Sequence, residues 1–168
     1  VYGDAQGPEV WKHDRSTHAA KDLFVTRSLD NGMTWSQPIN VSNTANLSSL
    51  DADHDGNPIT LDIPYYGDSQ KPNIFNNGKN VIISWVDHYV PSGVQESVLY
   101  PESALVEVPY AATYVVRSSD GGETWSAPAM LSDGSRDAKQ DVPKASGAGF
   151  VITWQKDSKG LQPVDAEG

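Results

Sequence analysis

The residues best suited to chemistry in this sequence are carboxylates clustered between positions 51 and 62. Three aspartates alternate with other residues over Asp51–Asp55, Gly56 follows, and Asp62 stands at the twelfth position. This spacing matches the calcium-loop pattern Asp-x-Asp-x-Asp-Gly with a carboxylate at position 12. Ca²⁺ takes about six to eight hard oxygen ligands, and alternate carboxylates converge when a glycine permits a sharp turn. The pattern predicts one bound Ca²⁺, with ligands from Asp51, Asp53, Asp55, the Asn57 carbonyl and Asp62.

Two features separate this segment from a calcium loop paired between two helices. Position 12 is an aspartate, whose short side chain favours binding through one oxygen, and Pro58 cannot donate the backbone hydrogen bond that pairs two such loops. No helix is predicted on either side. The sequence therefore predicts an isolated calcium loop, and the alternative is a solvated acidic loop without an ion.

The histidines offer a second and weaker candidate for metal binding. His13 and His18 are five positions apart, so on one strand their side chains would face opposite ways, whereas a loop would bring them together near Asp14. Imidazole ligands suit transition metals. The hypothesis is a transition-metal site of His13, His18 and a carboxylate, and the alternative is ordinary surface histidines.

The overall composition limits the classes of function. The 168 residues include 22 acidic and 12 basic side chains, and the resulting net charge of −10 argues against a nucleic-acid partner, since phosphate binding needs clustered Lys and Arg. The absence of cysteine excludes disulfides, zinc–thiolate sites and Cys nucleophiles. No signal peptide and no transmembrane segment are predicted. Because patterned sequence reaches both ends, we expect the chain to be a piece of a longer protein.

An internal repeat reveals the elements that must position these residues. The segment Ser28–Ser36, here called turn motif 1, returns as Ser118–Ser126, turn motif 2. Asp and Gly are the residues of a tight turn, and the β-branched and aromatic residues before each copy predict strands over Leu23–Arg27 and Tyr110–Arg117. The returning strand is expected to begin at the Thr-Trp pair. The shared positions are Ser28, Asp30, Gly32, Thr34 and Trp35 in motif 1 and Ser118, Asp120, Gly122, Thr124 and Trp125 in motif 2.

A second repeated element consists of apolar strands that end in tryptophan. Val81–Trp85 is echoed by Phe150–Trp154 and more weakly by Glu9–Trp11, at intervals of about 70 residues. These runs are typical of strands. Between the repeats, an acidic insertion is predicted over 44–70 and a second long loop over Val90–Pro109.

The pattern Ser-x-Asp-x-Gly-x-Thr-Trp resembles the Asp-box, or BNR repeat, of sialidase-like β-propellers. In that family the box is the turn between the two outer strands of a four-stranded blade. The resemblance implies an all-β fold of about two and a half blades, with the remaining blades in a missing part of the chain. It divides the chain into the end of one blade (1–43), the acidic insertion (44–70), a complete blade (71–131) and the start of a third (132–168).

Three functions remain open on this resemblance. The favoured one is a non-catalytic module, secreted, periplasmic or on the cell surface, that binds a glycan or a protein and carries a structural calcium loop. The second is a sialidase-like glycoside hydrolase, whose three substrate-binding arginines cannot come from this segment. Arg27 and Arg117 occupy equivalent repeat positions, and only Arg15 and Arg136 remain. The third is a His-based metal-binding surface protein.

Overall fold

The chain folds entirely into β-strands, turns and loops in the part that is described. The computed structural model describes residues 1–101, 105–147 and 149–156, and within these ranges there is no α-helix. The predicted all-β class is therefore confirmed, while residues 157–168 of the predicted third blade lie outside the described residues. The strands, in chain order, are β1 (Tyr2–Trp11), β2 (Thr17–Val25), β3 (Ile39–Asn40), β4 (Ser48–Ala52), β5 (Ile63–Tyr66), β6 (Gln70–Asn77), β7 (Asn80–Asp87), β8 (Ser97–Tyr100), β9 (Val106–Pro109), β10 (Ala112–Ser118), β11 (Ala129–Met130), β12 (Ala138–Ser146) and β13 (Gly149–Lys156).

Two larger antiparallel sheets carry the repeats. Sheet 1 has the strand order β1-β2-β3, and sheet 2 has the order β6-β7-β10-β11. In sheet 2 the register pairs Trp85 of β7 with Tyr114 of β10. Strand β7 is buried from Ile82 to Asp87, which explains its nearly continuous run of apolar residues, because both of its faces are covered. None of the sheets formed by the described residues closes on itself.

Three further hairpins complete the described chain. Strand β4 pairs with β5, β8 pairs with β9, and β12 pairs with β13, each pair forming a two-stranded sheet. The β4–β5 hairpin occupies the acidic insertion. The β8–β9 hairpin lies inside Val90–Pro109, so the prediction of a long loop there was wrong in its second half. Alternating residues such as Val106 and Val108 are buried and make this short segment a strand.

Two hydrophobic clusters hold these elements together. One lies between sheets 1 and 2 and includes Leu23, Val25, Ile83, Trp85 and Val116. The other packs the end of sheet 1 against the two inserted hairpins, and its members are Val10, Trp11, Ala20, Ala45, Ala52, Tyr65, Tyr100, Val106 and Val108. The second cluster fixes the β4–β5 and β8–β9 hairpins over one end of the sheets, where the polar residues described below converge.

Candidate functional site

Turn motif 1 is a compact loop organised by the Asp30 carboxylate. Asp30 accepts hydrogen bonds from the backbone N–H of Thr34 at 2.8 Å, the Thr34 hydroxyl at 2.6 Å and the Ser28 hydroxyl at 2.8 Å. Ser28 Oγ accepts the N–H of Gly32 at 2.7 Å, and Gly32 has a φ of 89°. These bonds, led by the one from the Thr34 hydroxyl, lower the pKa of Asp30 to about 2.

Turn motif 2 repeats this arrangement. Asp120 accepts the hydroxyl of Thr124 at 2.5 Å and the hydroxyl of Ser118 at 2.7 Å, and Ser118 Oγ accepts the N–H of Gly122 at 2.8 Å. The bond from the Thr124 hydroxyl is the main cause of a lowered Asp120 pKa. In both motifs the roles of the Ser, Asp, Gly and Thr positions are internal to the turn, as expected for structural residues.

The two motif tryptophans have different surroundings. Trp35 is 61% exposed and its indole N–H donates to the Gly32 carbonyl at 3.2 Å, whereas Trp125 is half-buried against the cluster between the two sheets. Neither lies in a strand, because the returning strands β3 and β11 begin at Ile39 and Ala129. The expectation that the strand begins at the Thr-Trp pair was therefore wrong. The Asp side chain accepts hydrogen bonds from the Thr N–H and hydroxyl and so extends the turn as far as the Thr. Strand pairing therefore begins only several residues later.

The acidic insertion places the predicted calcium ligands around the tip of the β4–β5 hairpin. Asp51 lies in β4 opposite Pro64, Asp53 and Asp55 lie in the tip, and Asp62 immediately precedes β5. Within the described residues, Asp53, His54 and Asp55 form a group whose ligand atoms lie within 4.8 Å of one another. Asp51 and Asp62 are not in that group. The exposed Asn57 uses its side-chain oxygen to accept the N–H of Ile59 at 3.2 Å.

Hydrogen bonds within the chain already hold this tip. Asp53 Oδ1 accepts the N–H groups of Asp55 at 3.0 Å and Gly56 at 2.7 Å, and Gly56 has a φ of 70°. Glu107 of β9 accepts the N–H of Asp53 at 3.1 Å and returns its own N–H to the Asp53 carbonyl at 2.8 Å. Arg15, from the β1–β2 turn, donates to the Asp55 carbonyl at 3.0 Å. A cation distant in sequence thus reaches the acidic segment, which has no basic residue of its own.

The structure does not gather the predicted histidine ligands into a metal-binding group. His18, in β2, hydrogen-bonds through Nε2 to Asp68 Oδ2 at 2.7 Å, while the exposed His13 packs its ring 5.4 Å from that of Tyr100. Asp14 accepts the hydroxyl and the N–H of Ser16 and takes no part in a histidine cluster. Among the residues described in the structure, neither His13 nor His18 belongs to a set of three or more side chains close enough to hold one metal ion.

A feature that sequence reasoning missed is a set of buried carboxylates at one end of the sheets. Asp22, Asp68, Asp87 and Asp137 are each 3% exposed or less. Asp87 accepts the hydroxyls of Thr44 at 2.7 Å and Ser69 at 2.5 Å, and burial raises its pKa despite these bonds. The carboxylates join loops that are far apart in the chain, so the acidic composition of the protein is partly internal.

A cavity of about 170 Å³ lies where strands β1 and β7 end and strands β6 and β12 begin, and Asp137 is the one of these four carboxylates that lines it. Tyr65 also lines it, and its hydroxyl donates to the Trp11 carbonyl at 2.7 Å. Burial raises the pKa of Tyr65, which suits a structural hydroxyl better than a nucleophile. None of the lining residues that the structure describes is an arginine. The other polar residues that line the cavity are mostly lysines and histidines: Lys12, Lys71, Lys139, His13, His18 and His88.

Two buried polar atoms on residues lining this cavity have no hydrogen-bond partner within the protein. They are Nδ1 of His18 and Oδ2 of Asp137. Lys139 Nζ lies 3.7 Å from Asp137 Oδ2, which is an ion-pair distance but too long for a hydrogen bond. Burial raises the pKa of Asp137. Because buried polar atoms are normally hydrogen-bonded, these two atoms indicate a place for a polar ligand or for water.

The sequence contains only a faint signal for this cavity. Asp68 and Asp137 stand within two residues of a strand that opens a new hairpin. Each is followed by a small residue and then by two polar residues with amide or ammonium groups, Gln70-Lys71 and Lys139-Gln140. The match is short and resembles the composition of an ordinary turn, so it cannot be recognised without the fold.

Within residues 1–101, 105–147 and 149–156, the structure contains no helix with the length and apolar character needed to cross a bilayer. Comparison of the chain with protein-family models, with curated proteins and with solved structures finds no match.

Proposed function

We propose that this chain is part of an Asp-box β-propeller that serves as a binding module outside the cytoplasm. The matching hydrogen bonds of the two turn motifs support this assignment, because Ser, Asp, Gly and Thr have the same roles in both. The simple antiparallel order of sheet 2 is that of one blade. Sheet 1 then belongs to the preceding blade, and the β12–β13 hairpin opens the next one.

The observation that carries the binding function is the cavity with its two buried polar atoms that have no hydrogen bond, Asp137 Oδ2 and His18 Nδ1. A hydroxyl can both donate and accept, so a ligand rich in hydroxyl groups satisfies both atoms. The volume of about 170 Å³ is below the usual range of drug-sized pockets and fits one small ring. A glycan, entering through one terminal sugar, meets these requirements, and a protein partner that inserts one polar side chain is the other possibility.

Glycan-array screening followed by calorimetry tests this function. A glycan that binds should shift the NMR signals of the His18 and His88 rings, which line the cavity, and leave the ring of His54 unchanged, because His54 lies in the hairpin tip. Absence of binding to any glycan, with binding to a protein partner instead, would favour the other possibility. Binding that shifts His54 and not His18 would place the ligand elsewhere.

We further propose that the tip of the β4–β5 hairpin binds a structural Ca²⁺. The carboxylates of Asp53 and Asp55 supply the nearest oxygens, and Asp51, Asp62 and the Asn57 carbonyl are the additional ligands in the predicted set. Calcium titration by calorimetry should detect uptake at millimolar concentration, which Asp53→Ala abolishes and Asp4→Ala, an exposed carboxylate in β1, retains. No uptake in the unaltered protein would leave a solvated acidic hairpin tip.

The alternative of a sialidase-like glycoside hydrolase rests on one observation, the raised pKa of the cavity residue Asp137. A carboxyl group whose pKa is raised by burial suits a general acid. The arginines and the second catalytic group of such an enzyme would have to come from other blades. Hydrolysis of a fluorogenic sialoside by the longer protein, lost in Asp137→Asn, would support the enzyme, and unchanged hydrolysis in that variant would exclude Asp137 as its acid.

A further inference from the structure

The buried carboxylates Asp68 and Asp137 occupy equivalent positions in the two repeats. Asp68 Oδ1 accepts the N–H of Lys21 at 3.1 Å, and Asp137 Oδ1 accepts the N–H of Ala111 at 2.9 Å. Lys21 and Ala111 each stand three residues before the matching aromatic residue that precedes a turn motif. Each aspartate therefore ties the start of a new hairpin to the same point of the preceding sheet.

Two further features support this equivalence. The residue after each aspartate donates its N–H to the carbonyl of that same anchor residue: Ser69 to Lys21 at 2.9 Å and Ala138 to Ala111 at 3.1 Å. The strand that follows is irregular at the same place in both repeats, with register shifts between Gln70 and Asn73 and between Lys139 and Val142. The two carboxylates therefore differ in their partners and not in their place in the fold.

The second oxygen of each carboxylate is where the repeats diverge. In the first repeat, Asp68 Oδ2 accepts the imidazole Nε2 of His18 at 2.7 Å and the amide of Gln70 at 2.5 Å. The repeat equivalents of these two donors are Val108, which cannot form a hydrogen bond through its side chain, and Lys139, whose Nζ forms an ion pair with Asp137 Oδ2 at 3.7 Å, beyond hydrogen-bond length. Asp137 Oδ2 consequently has no hydrogen bond, although the residue is fully buried.

We propose that Asp137 Oδ2 is a ligand subsite, built to accept a hydrogen bond from a neutral N–H or O–H group on a small ring. In the first repeat the imidazole of His18 fills the equivalent position, which sets the size and donor geometry of the group. The lysines around the cavity disfavour a cationic donor. This inference rests on the proposed binding function, and in a glycan ligand the donor is a ring hydroxyl.

Imidazole is the probe that tests the subsite without knowledge of the natural ligand. At about pH 8.5 most of the imidazole is neutral and offers one N–H donor without a charge. We expect imidazole to bind with a Kd on the order of millimolar and to shift the NMR signal of the Ala111 amide, which donates to Asp137. The matched control is 1-methylimidazole, which in its neutral form has a similar ring but no N–H, and it should bind at least about fivefold more weakly.

Variants separate Asp137 from other carboxylates. Asp137→Asn keeps an oxygen for the Ala111 amide but removes the charged acceptor, and it should weaken imidazole binding at least about tenfold. Lys139→Gln restores the donor found at Gln70 and should compete with imidazole for Oδ2. Asp68→Asn makes the same change in the repeat whose carboxylate is already satisfied, and it should leave the shift at Ala111 intact.

A positive control comes from the first repeat. His18→Gly removes the internal donor to Asp68 Oδ2, so this variant should gain a second imidazole site and recover part of its lost thermal stability when imidazole is added. Equal shifts with 1-methylimidazole, unchanged binding in Asp137→Asn, or no shift of the Ala111 amide at about 100 mM imidazole would each overturn the subsite. A glycan that binds in the cavity equally well in Asp137→Asn would overturn it while leaving the binding function in place.

Discussion

Replacement of Asp22 by alanine should destabilise the protein more than any other single change to a polar residue of sheet 1. Asp22 is 3% exposed, and its Oδ1 accepts the N–H groups of Thr44 at 2.7 Å and Ala45 at 3.1 Å and the Ser42 hydroxyl at 2.9 Å. Its Oδ2 accepts the amide of Asn40 at 2.9 Å. These bonds hold the chain where it leaves β3 and enters the acidic insertion.

The size of the effect follows from the groups left without a partner. Thr44 and Ala45 are both buried, so their two N–H groups would lose their acceptor where water has little access. Each unsatisfied buried donor costs about 1–3 kcal/mol, and a further small loss comes from the Ser42 and Asn40 bonds. We expect Asp22→Ala to lower the free energy of unfolding by about 3–5 kcal/mol, a large part of the usual stability of a domain.

Urea unfolding followed by tryptophan fluorescence measures this loss, and hydrogen exchange locates it. The amides of Thr44 and Ala45 should exchange much faster in Asp22→Ala, while those of β7 should change only with global stability. The control, Asp22→Asn, keeps the Oδ1 acceptor and should lose less than half as much. A loss below about 1 kcal/mol, or continued protection of the two amides, would refute the reasoning that Asp22 is their essential acceptor.

Other consequences can be tested separately. Gly122→Ala, at a φ of 87°, should lower the unfolding free energy by about 1–2 kcal/mol, whereas Gly3→Ala, where an added Cβ meets nothing closer than 3.8 Å, should change it by less than about 0.5 kcal/mol; urea unfolding compares them. The pKa of Asp30 is lowered to about 2, so its contribution to stability is complete above the unfolded pKa of about 3.9 and is lost as the pH falls through about 2. The NMR signal of the Thr34 amide, which donates to Asp30, should therefore titrate with a midpoint near pH 2. An amide signal that does not titrate would contradict this hydrogen bond. Burial raises the pKa of Asp137, so its ionisation destabilises the fold progressively as the pH rises from about 4 to the folded-state pKa. The difference in Tm between Asp137→Asn and the unaltered protein should grow over this pH range. A difference that stays constant would show that the pKa of this carboxyl group is not raised.

The sequence by itself was sufficient for the features that depend on neighbouring residues. The two turn motifs were predicted because Asp, Gly and Thr complete a turn within a few positions of each other, as the bonds from Thr34 to Asp30 show. The strands β2, β7, β10 and β13 were predicted from local β-branched and aromatic runs. The β4–β5 and β8–β9 hairpins were missed since their short strands are stabilised by the second hydrophobic cluster and not by a strong pattern of their own.

Tertiary structure alone decided which polar residues became a site. The calcium pattern could be recognised in the sequence because its members are close in the chain. The fold, however, groups Asp53 and Asp55 with His54 and leaves Asp51 and Asp62 outside that group. The cavity, in contrast, joins residues as distant as His18, His88 and Asp137. Whether an aspartate is solvated or buried depends on the elements packed over it. Two differences between the repeats, Val108 in place of His18 and Lys139 in place of Gln70, determine whether the buried carboxylate has its hydrogen bonds. Local sequence determines the turns, and only the packing of distant segments buries Asp137 Oδ2 without a hydrogen bond.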